Sequence, residues 1–195
     1  MGQATGAADE STVATVEAPA ATAVLYRIDR ADVLTEVDGA WDEFARGNGG
    51  IGQVVGRPLW HFVTGTEVRA VWSQLLRRVR EAEGPVAFLY RCDAPGLRRL
   101  AQMELLADSD GFVAFRSTQI KAAAAATYVG RWEQGTCRDA IVVCGWCARV
   151  QLDSWVAPEE AATELGLTGG RGARLSHGVC ETCARELKAL GQRAR

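Results

Sequence analysis

Hydrophobic and polar residues follow strand-like and helix-like patterns between residues 23 and 120. The runs VLYRID and VLTEVD predict two short strands joined as a hairpin. Further along, VAFLYRCD, LRRLAQMELLAD and GFVAFRSTQ predict three more strands. In the middle one Ala101, Met103 and Leu105 alternate with polar residues, as on a half-buried strand. Because most of the connections are short, we expect an α+β domain with a five-stranded antiparallel sheet.

Two helices are predicted to cover one face of this sheet. The segment AWDEFARGNGG has the pattern of a short helix ended by glycines. In the second helix, Thr64 and Glu67 have the spacing of an N-terminal capping box, and Gly84 with Pro85 ends the helix. Its apolar residues recur at helical spacing and predict one buried stripe, made of Val68, Val71, Trp72, Leu75, Leu76 and Val79.

Three segments of this region carry a family resemblance. They are YRIDRADVLTEVDGAWDEFARGN, then VVGRPLWHFV with its GRPLW string, and the three closing strands. Together they resemble a PAS domain over residues 23 to about 120. The resemblance implies a sensor or adaptor in signal transduction that binds a small ligand or a protein partner. Haem bound through His61 is one cofactor it allows, although a lone histidine is more often a surface residue.

The segments around this region differ from it in composition. Residues 1–22 are rich in small residues and contain no basic residue, which predicts a disordered or partly helical tail. Residues 121–136 contain five consecutive alanines and predict a helical linker. The remainder, residues 137–195, holds five of the six cysteines and is predicted to be a second, small domain. The sheet region contains its own helix and strands, so we expect it to fold largely without this second domain.

The charge and hydropathy of the chain exclude several function classes. The chain has 22 basic and 24 acidic residues, so its net charge of -2 provides no global field for nucleic acid or an anionic membrane. No apolar stretch reaches the roughly 20 residues of a membrane span, and no secretory signal is present at the N-terminus, so we expect a cytoplasmic protein. The sequence contains no kinase, cyclase or hydrolase signature, and we therefore expect no enzyme activity.

The cysteine spacing is the strongest chemical signal. Cys144 and Cys147 form one C-x-x-C pair, and Cys180 and Cys183 form another after 32 intervening residues. Two such pairs are typical of a tetrahedral Zn²⁺ site, and a domain with so few large apolar residues needs a metal to stabilise it. We predict one structural Zn²⁺ on these four thiolates. Four unrelated thiols, a redox pair and an iron–sulfur cluster are the alternatives.

We expect structural roles for the second histidine and the two remaining cysteines. His177 lies three residues before Cys180, where we expect it to hydrogen-bond a thiolate or the backbone rather than to bind the metal. Cys137 is interpreted as a free thiol, and Cys92 as a small packed residue rather than a reactive one. The run VVCGWCARV, followed by DSWV, EEA and LSHGVCETCARELK, is similar to the short Cys-rich module found at the end of bacterial PAS signalling proteins. That resemblance implies no specific activity.

The leading functional hypothesis is a non-catalytic bacterial signalling protein that senses a ligand or a protein partner and forms a homodimer. One alternative is a nucleic-acid-binding transcriptional regulator that uses the zinc module. Residues 137–195 contain eight basic and seven acidic residues, which is a poor balance for binding phosphates, and the charge therefore favours the first hypothesis. A second alternative is a thiol redox switch that loses its metal on oxidation.

Overall fold

The structure is a computed structural model, and it describes residues 23–47, 53–81, 84–93, 97–124, 140–166 and 174–190. The predicted tail and Cys137 lie outside the described residues. Residues 23–124 are called the sheet domain below, and residues 140–190 are called the cysteine module. No helix in the described ranges has the length and hydropathy needed to cross a lipid bilayer.

The sheet domain is built on one antiparallel sheet. Its strand order is β2-β1-β5-β4-β3, so that β2 and β3 form the two edges. The predicted fold class, α+β with a five-stranded antiparallel sheet, is confirmed. The strands are β1 Ala23–Ile28, β2 Leu34–Val37, β3 Val86–Arg91, β4 Leu97–Ala107 and β5 Val113–Ala124.

Helices pack on one face of this sheet, as predicted. Helix α1 (Gly39–Gly47) contacts β1, and helix α2 (Thr66–Glu81) contacts β4 and β5. A 3₁₀ turn at Leu59–His61 precedes α2. The predicted apolar stripe of α2 faces the core, because Val68, Leu75, Leu76 and Val79 are buried and the other two residues pack against them.

The two faces of the sheet differ in exposure. The alternating residues Ala101, Met103 and Leu105 are buried on the helix-covered face, which confirms the predicted period of two in β4. Leu25, Leu89 and Leu106 point to the opposite face, and each exposes more than 40% of its surface. The sheet therefore has one packed face and one open face that carries exposed leucines.

The cysteine module contains a second, smaller sheet with strand order β8-β7-β6-β9. Strands β6 and β9 run parallel, while the other pairs are antiparallel. Two helices complete the module, and the second begins at the second C-x-x-C pair. The elements are β6 Ala140–Cys144, β7 Val150–Gln151, β8 Trp155–Val156, α3 Pro158–Glu164, β9 Arg174–Gly178 and α4 Glu181–Leu190.

In the described residues the buried core forms two clusters, and these clusters do not coincide with the two parts of the chain. A small cluster of Val143, Val150, Ala161 and Ala162 lies inside the cysteine module. The main cluster spans both parts of the chain, because Cys144, Trp146, Cys180, Cys183 and Leu187 are buried with the residues of α2 and of the five-stranded sheet. The module therefore packs directly on the helix-covered side of the sheet domain.

Two local sequence predictions are wrong. Residues 121–124 belong to β5 rather than to a helix, because β4 reaches Leu97 and pairs with Ala124. The rest of the predicted linker lies outside the described residues. The capping box is also wrong: Gly65 has φ +86° and its carbonyl accepts the amide of Arg69, so that α2 begins at Thr66, two residues after the predicted cap.

Candidate metal centre

The structure brings the four predicted cysteines together. Cys144 ends β6 and Cys147 lies in the turn that follows it, while Cys180 immediately precedes α4 and Cys183 lies in its first turn. All four sulfurs lie within 4.8 Å of one another. Cys144, Cys180 and Cys183 are buried, and Cys147 is half-buried. This four-sulfur cluster can hold a metal ion.

The first C-x-x-C pair lies in a tight turn. The Ala148 amide donates to the Cys144 carbonyl at 3.0 Å, and the Cys144 amide donates to the Arg149 carbonyl at 2.8 Å. These bonds fold the chain back so that both thiols point to the same side. The turn requires the left-handed conformation at Ala148, where φ is 59°. Alanine is strained there by its Cβ, which costs about 1–2 kcal/mol.

The second pair uses the start of a helix. The Ala184 amide donates to the Cys180 carbonyl at 2.9 Å, which places Cys180 at the N-cap of α4. The Cys183 amide points at the Cys180 sulfur at 3.5 Å, and the Cys180 amide points at the Cys144 sulfur at 3.4 Å. Amides directed at sulfur at a helix N-terminus stabilise thiolates. This arrangement therefore favours negatively charged ligands.

Cys144, Cys147 and Cys183 differ in how readily each thiol gives up its proton. A hydrogen bond from Cys147, aided by the amides of Cys180, Cys147 and Trp146, lowers the pKa of Cys144 to about 4. The Cys147 thiol, which gives that hydrogen bond, has its pKa raised. Burial and the charge on Cys144 raise the pKa of Cys183 to about 12. Four thiolates in this space repel one another, and a dication at their centre removes that repulsion.

The donor set and its spacing fit zinc. Thiolates about 2.3 Å from a tetrahedral Zn²⁺ lie about 3.8 Å from one another. The sulfurs of Cys147 and Cys180 are 3.7 Å apart, and no two of the four sulfurs are more than 4.8 Å apart. A four-cysteine set around one centre is typical of structural zinc sites, in which no coordination position is left for a substrate.

The remaining predicted residues lie outside the cluster. His177 approaches the hydroxyl of Thr64, 3.1 Å from its Nδ1, so the predicted partner, a thiolate or the backbone, is wrong. His61 is exposed on the 3₁₀ turn and packs edge-on against Phe62. Cys92 is half-buried beyond the end of β3, where burial raises the pKa of its thiol.

The structure also shows functional contacts that the sequence did not predict. Glu67, expected to cap α2, instead accepts the amide of Val179 at 3.4 Å, next to the second pair of thiols. Trp146, between the first two cysteines, is buried against Trp72 of α2 at a ring distance of 6.0 Å. These contacts join residues more than 70 positions apart, and no local pattern predicts them.

A cavity of about 310 Å³ lies beside the cluster, between β3 and α4. Its lining is mainly apolar, and among the described residues that line it the ionisable side chains are the Cys183 thiol and the Glu186 carboxylate. The cavity therefore touches the sheet domain, the first C-x-x-C turn and the second pair at once. Its lining residues are Phe88, Leu89, Trp146, Cys183, Glu186, Leu187, Ala189 and Leu190.

Comparison with solved structures gives several similarities, one of which is to a ligand-binding domain of a bacterial receptor. No protein-family model matches the chain, and no curated protein matches it. The chain is similar to the PAS domain of the Cronobacter turicensis RpfR quorum-sensing receptor, solved in complex with C12:0. The two share 16% identity over 51% of this chain and 94% of that domain, with a TM-score of 0.39. The α+β fold follows from the strand order of the sheet itself.

Proposed function

We propose that this protein is a non-catalytic signalling protein, a PAS-type sensor or adaptor that carries one structural Zn²⁺. Its sheet domain binds a small ligand or a protein partner, and Cys144, Cys147, Cys180 and Cys183 hold the metal. The observation that carries the proposal is the convergence of four sulfurs from two distant C-x-x-C pairs within 4.8 Å. The protein works in the cytoplasm, where reducing conditions keep the four thiols available.

The metal is tested by native mass spectrometry of protein purified without chelator. We expect one Zn²⁺ per chain, and we expect Cys147→Ser to lose it. Cys92→Ser is the matched control, because Cys92 is a half-buried cysteine outside the cluster and its loss should leave the zinc content unchanged. A wild-type protein with well under one equivalent of metal would contradict the proposal.

The small-ligand role is supported by the cavity between β3 and α4. A volume of about 310 Å³ with an apolar lining is in the size range of small-molecule sites. A ligand there would contact both the sheet domain and the cysteine module, so its binding would stabilise the packing of one against the other. A mass increase that survives gentle desolvation in the same native spectra would identify a bound ligand.

The homodimer is supported by the open face of the sheet. Leu25, Leu89 and Leu106 expose apolar surface there, and a second copy would bury it. Leu106→Lys should convert a dimer to a monomer in light scattering. Leu165→Lys is the matched control, because Leu165 is 40% exposed but lies after α3, away from this face. A monomer at high micromolar wild-type concentration would exclude the dimer.

A further inference from the structure

The loops that carry the four thiols are the same loops that contact the sheet domain. The carbonyl of Trp146, inside the first C-x-x-C turn, accepts the amide of Arg91 at the end of β3 at 2.7 Å. Beside the second pair, the Val179 amide reaches the carboxylate of Glu67 on α2. The two loops also bond to each other, because the Gly145 amide donates to the Gly178 carbonyl at 3.0 Å. Metal ligation and domain contact therefore share the same two short stretches of backbone.

The side chain of Trp146 makes this connection energetically important. It is only 4% exposed, and its ring lies 6.0 Å from that of Trp72 at an angle of 31°. Trp72 in turn packs edge-on against Phe88 of β3 at 5.9 Å. Because Trp146 lies between the ligands Cys144 and Cys147, the position of its indole depends on both thiols. The metal-binding turn thus contributes an aromatic side chain to the core of the sheet domain.

A close backbone approach fixes the second loop against α2. A Cβ added at Gly65 would lie 2.2 Å from the carbonyl oxygen of His177, so only glycine permits the contact. Thr64, on one side of Gly65, bonds the His177 ring, and Glu67, on the other side, bonds Val179. The start of α2 and the strand that leads to Cys180 are therefore in direct contact.

We propose that metal occupancy of the four-cysteine cluster controls the packing of α2 and β3 in the sheet domain. This inference rests on the proposed function, because it assigns a regulatory consequence to the same metal site. With the metal bound, both loops are fixed and Trp146 fills the space beside Trp72 and Phe88. When the metal is removed, the coordination bonds that hold the two loops together are lost, so that Trp146 leaves the core and α2 and β3 lose part of their packing.

Hydrogen exchange of the full chain tests this coupling. The zinc-loaded protein is compared with protein stripped by a chelator under reducing conditions, with zinc content measured on both samples. We expect exchange at least tenfold faster in residues 66–81 and 86–91 of the stripped protein. The hairpin of β1 and β2, which lies at the opposite edge of the sheet from β3, should change much less. Unchanged exchange in α2 and β3 after complete zinc removal would overturn the coupling.

A pair of glycine variants tests the contact without touching a cysteine. Gly65→Ala and Gly56→Ala impose the same backbone strain, because φ is +86° at Gly65 and +84° at Gly56. Only Gly65→Ala adds a clash with His177, since no atom lies within 4 Å of a Cβ at Gly56. We expect Gly65→Ala, still containing zinc, to reproduce the faster exchange of α2 and β3, and Gly56→Ala not to do so.

The outcomes separate the two proposals. If both glycine variants exchange like the wild type, or if both exchange equally fast, the contact at Gly65 does not transmit the state of the metal site, and the coupling is wrong while the zinc site stands. If the wild-type protein contains no zinc, the proposed metal function fails and the coupling fails with it. One zinc per chain together with the expected exchange pattern supports both.

Discussion

The sheet domain and the cysteine module bury side chains of different size. The core of the sheet domain consists of large apolar side chains, including Ile28, Leu105 and Phe115, each no more than 1% exposed. The core within the cysteine module contains two valines and two alanines as its buried members. Burial of a large apolar side chain contributes about 1.5–3 kcal/mol, and a buried alanine contributes far less. The module therefore needs additional sources of stability.

Two such sources are visible in the module. One is the four-cysteine cluster, for which metal binding would contribute folding free energy directly. The other is the surface it shares with the sheet domain, where Trp146 and Leu187 join the main core. An ion pair between Arg98 of β4 and Glu159 of α3 adds to this contact at the surface. A small domain can thus obtain a core partly from a metal and partly from its neighbour.

The largest effect should come from the core of the sheet domain. Phe115→Ala removes a side chain that is 1% exposed and stacks on Tyr26 at 4.4 Å. We expect the free energy of unfolding to fall by about 3–5 kcal/mol in urea titrations. Arg116→Ala, the next residue on β5 with a side chain 60% exposed, is the control and should cost less than about 0.5 kcal/mol. Equal effects of the two substitutions would contradict the assigned core face.

The second-largest effect is expected where the cysteine module contributes a side chain to the main core. Leu187 belongs to the cysteine module but is 7% exposed and part of the main cluster. Leu187→Ala should therefore lower the unfolding free energy by about 2–5 kcal/mol and loosen the sheet domain as well. Leu165→Ala, at a 40% exposed position of the same module, should cost well under 1 kcal/mol. If Leu187→Ala destabilised the module alone, the two parts would have separate cores.

The sequence predicted the elements of the sheet domain because their signals are local. The alternation in β4 and the helical stripe of α2 each lie within one continuous segment, and each follows from the burial of one face. The four cysteines were also identifiable, because thiol pairs at this spacing have few other uses. Here too the signal is contained in short stretches of chain.

The contacts between the two parts could not be predicted in this way. Thr64 and Glu67 have the spacing of a capping box, yet their side chains bond residues 177 and 179. The parallel pairing of β6 with β9 joins segments more than 30 residues apart, and the intervening chain gives no sign of it. Residues 121–124 have a composition that favours a helix, but pairing with β4 outweighs that preference. Long-range contacts decide each of these cases.

A smaller, stabilising effect is expected at the first C-x-x-C turn. Ala148→Gly relieves the left-handed strain at φ 59°, while the more flexible glycine costs some entropy on folding. The net result should be an unfolding free energy about 0.5–1 kcal/mol higher for the zinc-loaded protein. Ala184→Gly, within α4, should have the opposite sign and cost about 1 kcal/mol. Destabilisation by both substitutions would show that the Ala148 methyl contributes packing that outweighs the strain.

The smallest change in unfolding free energy at neutral pH is expected at Tyr90, a titratable side chain of the sheet domain. Burial, together with nearby Cys92, raises the pKa of Tyr90 from 10.0 to about 12, and its hydroxyl bonds Ser117 at 2.6 Å. Tyr90→Phe removes that bond and should cost about 0.5 kcal/mol at pH 7.

At alkaline pH the difference in unfolding free energy between the wild type and Tyr90→Phe should become smaller. Because the folded pKa of Tyr90 is the higher one, its protonated form is fully stabilising below pH 10, and that stability is lost as pH rises toward 12. Thiolates that hold a metal carry no proton to release, so the change expected at Tyr90 is independent of the proposed metal site. The unfolding free energy of Tyr90→Phe should therefore fall less steeply than that of the wild type between pH 10 and 12. Parallel pH profiles for the two proteins would show that Tyr90 titrates alike in the folded and unfolded states.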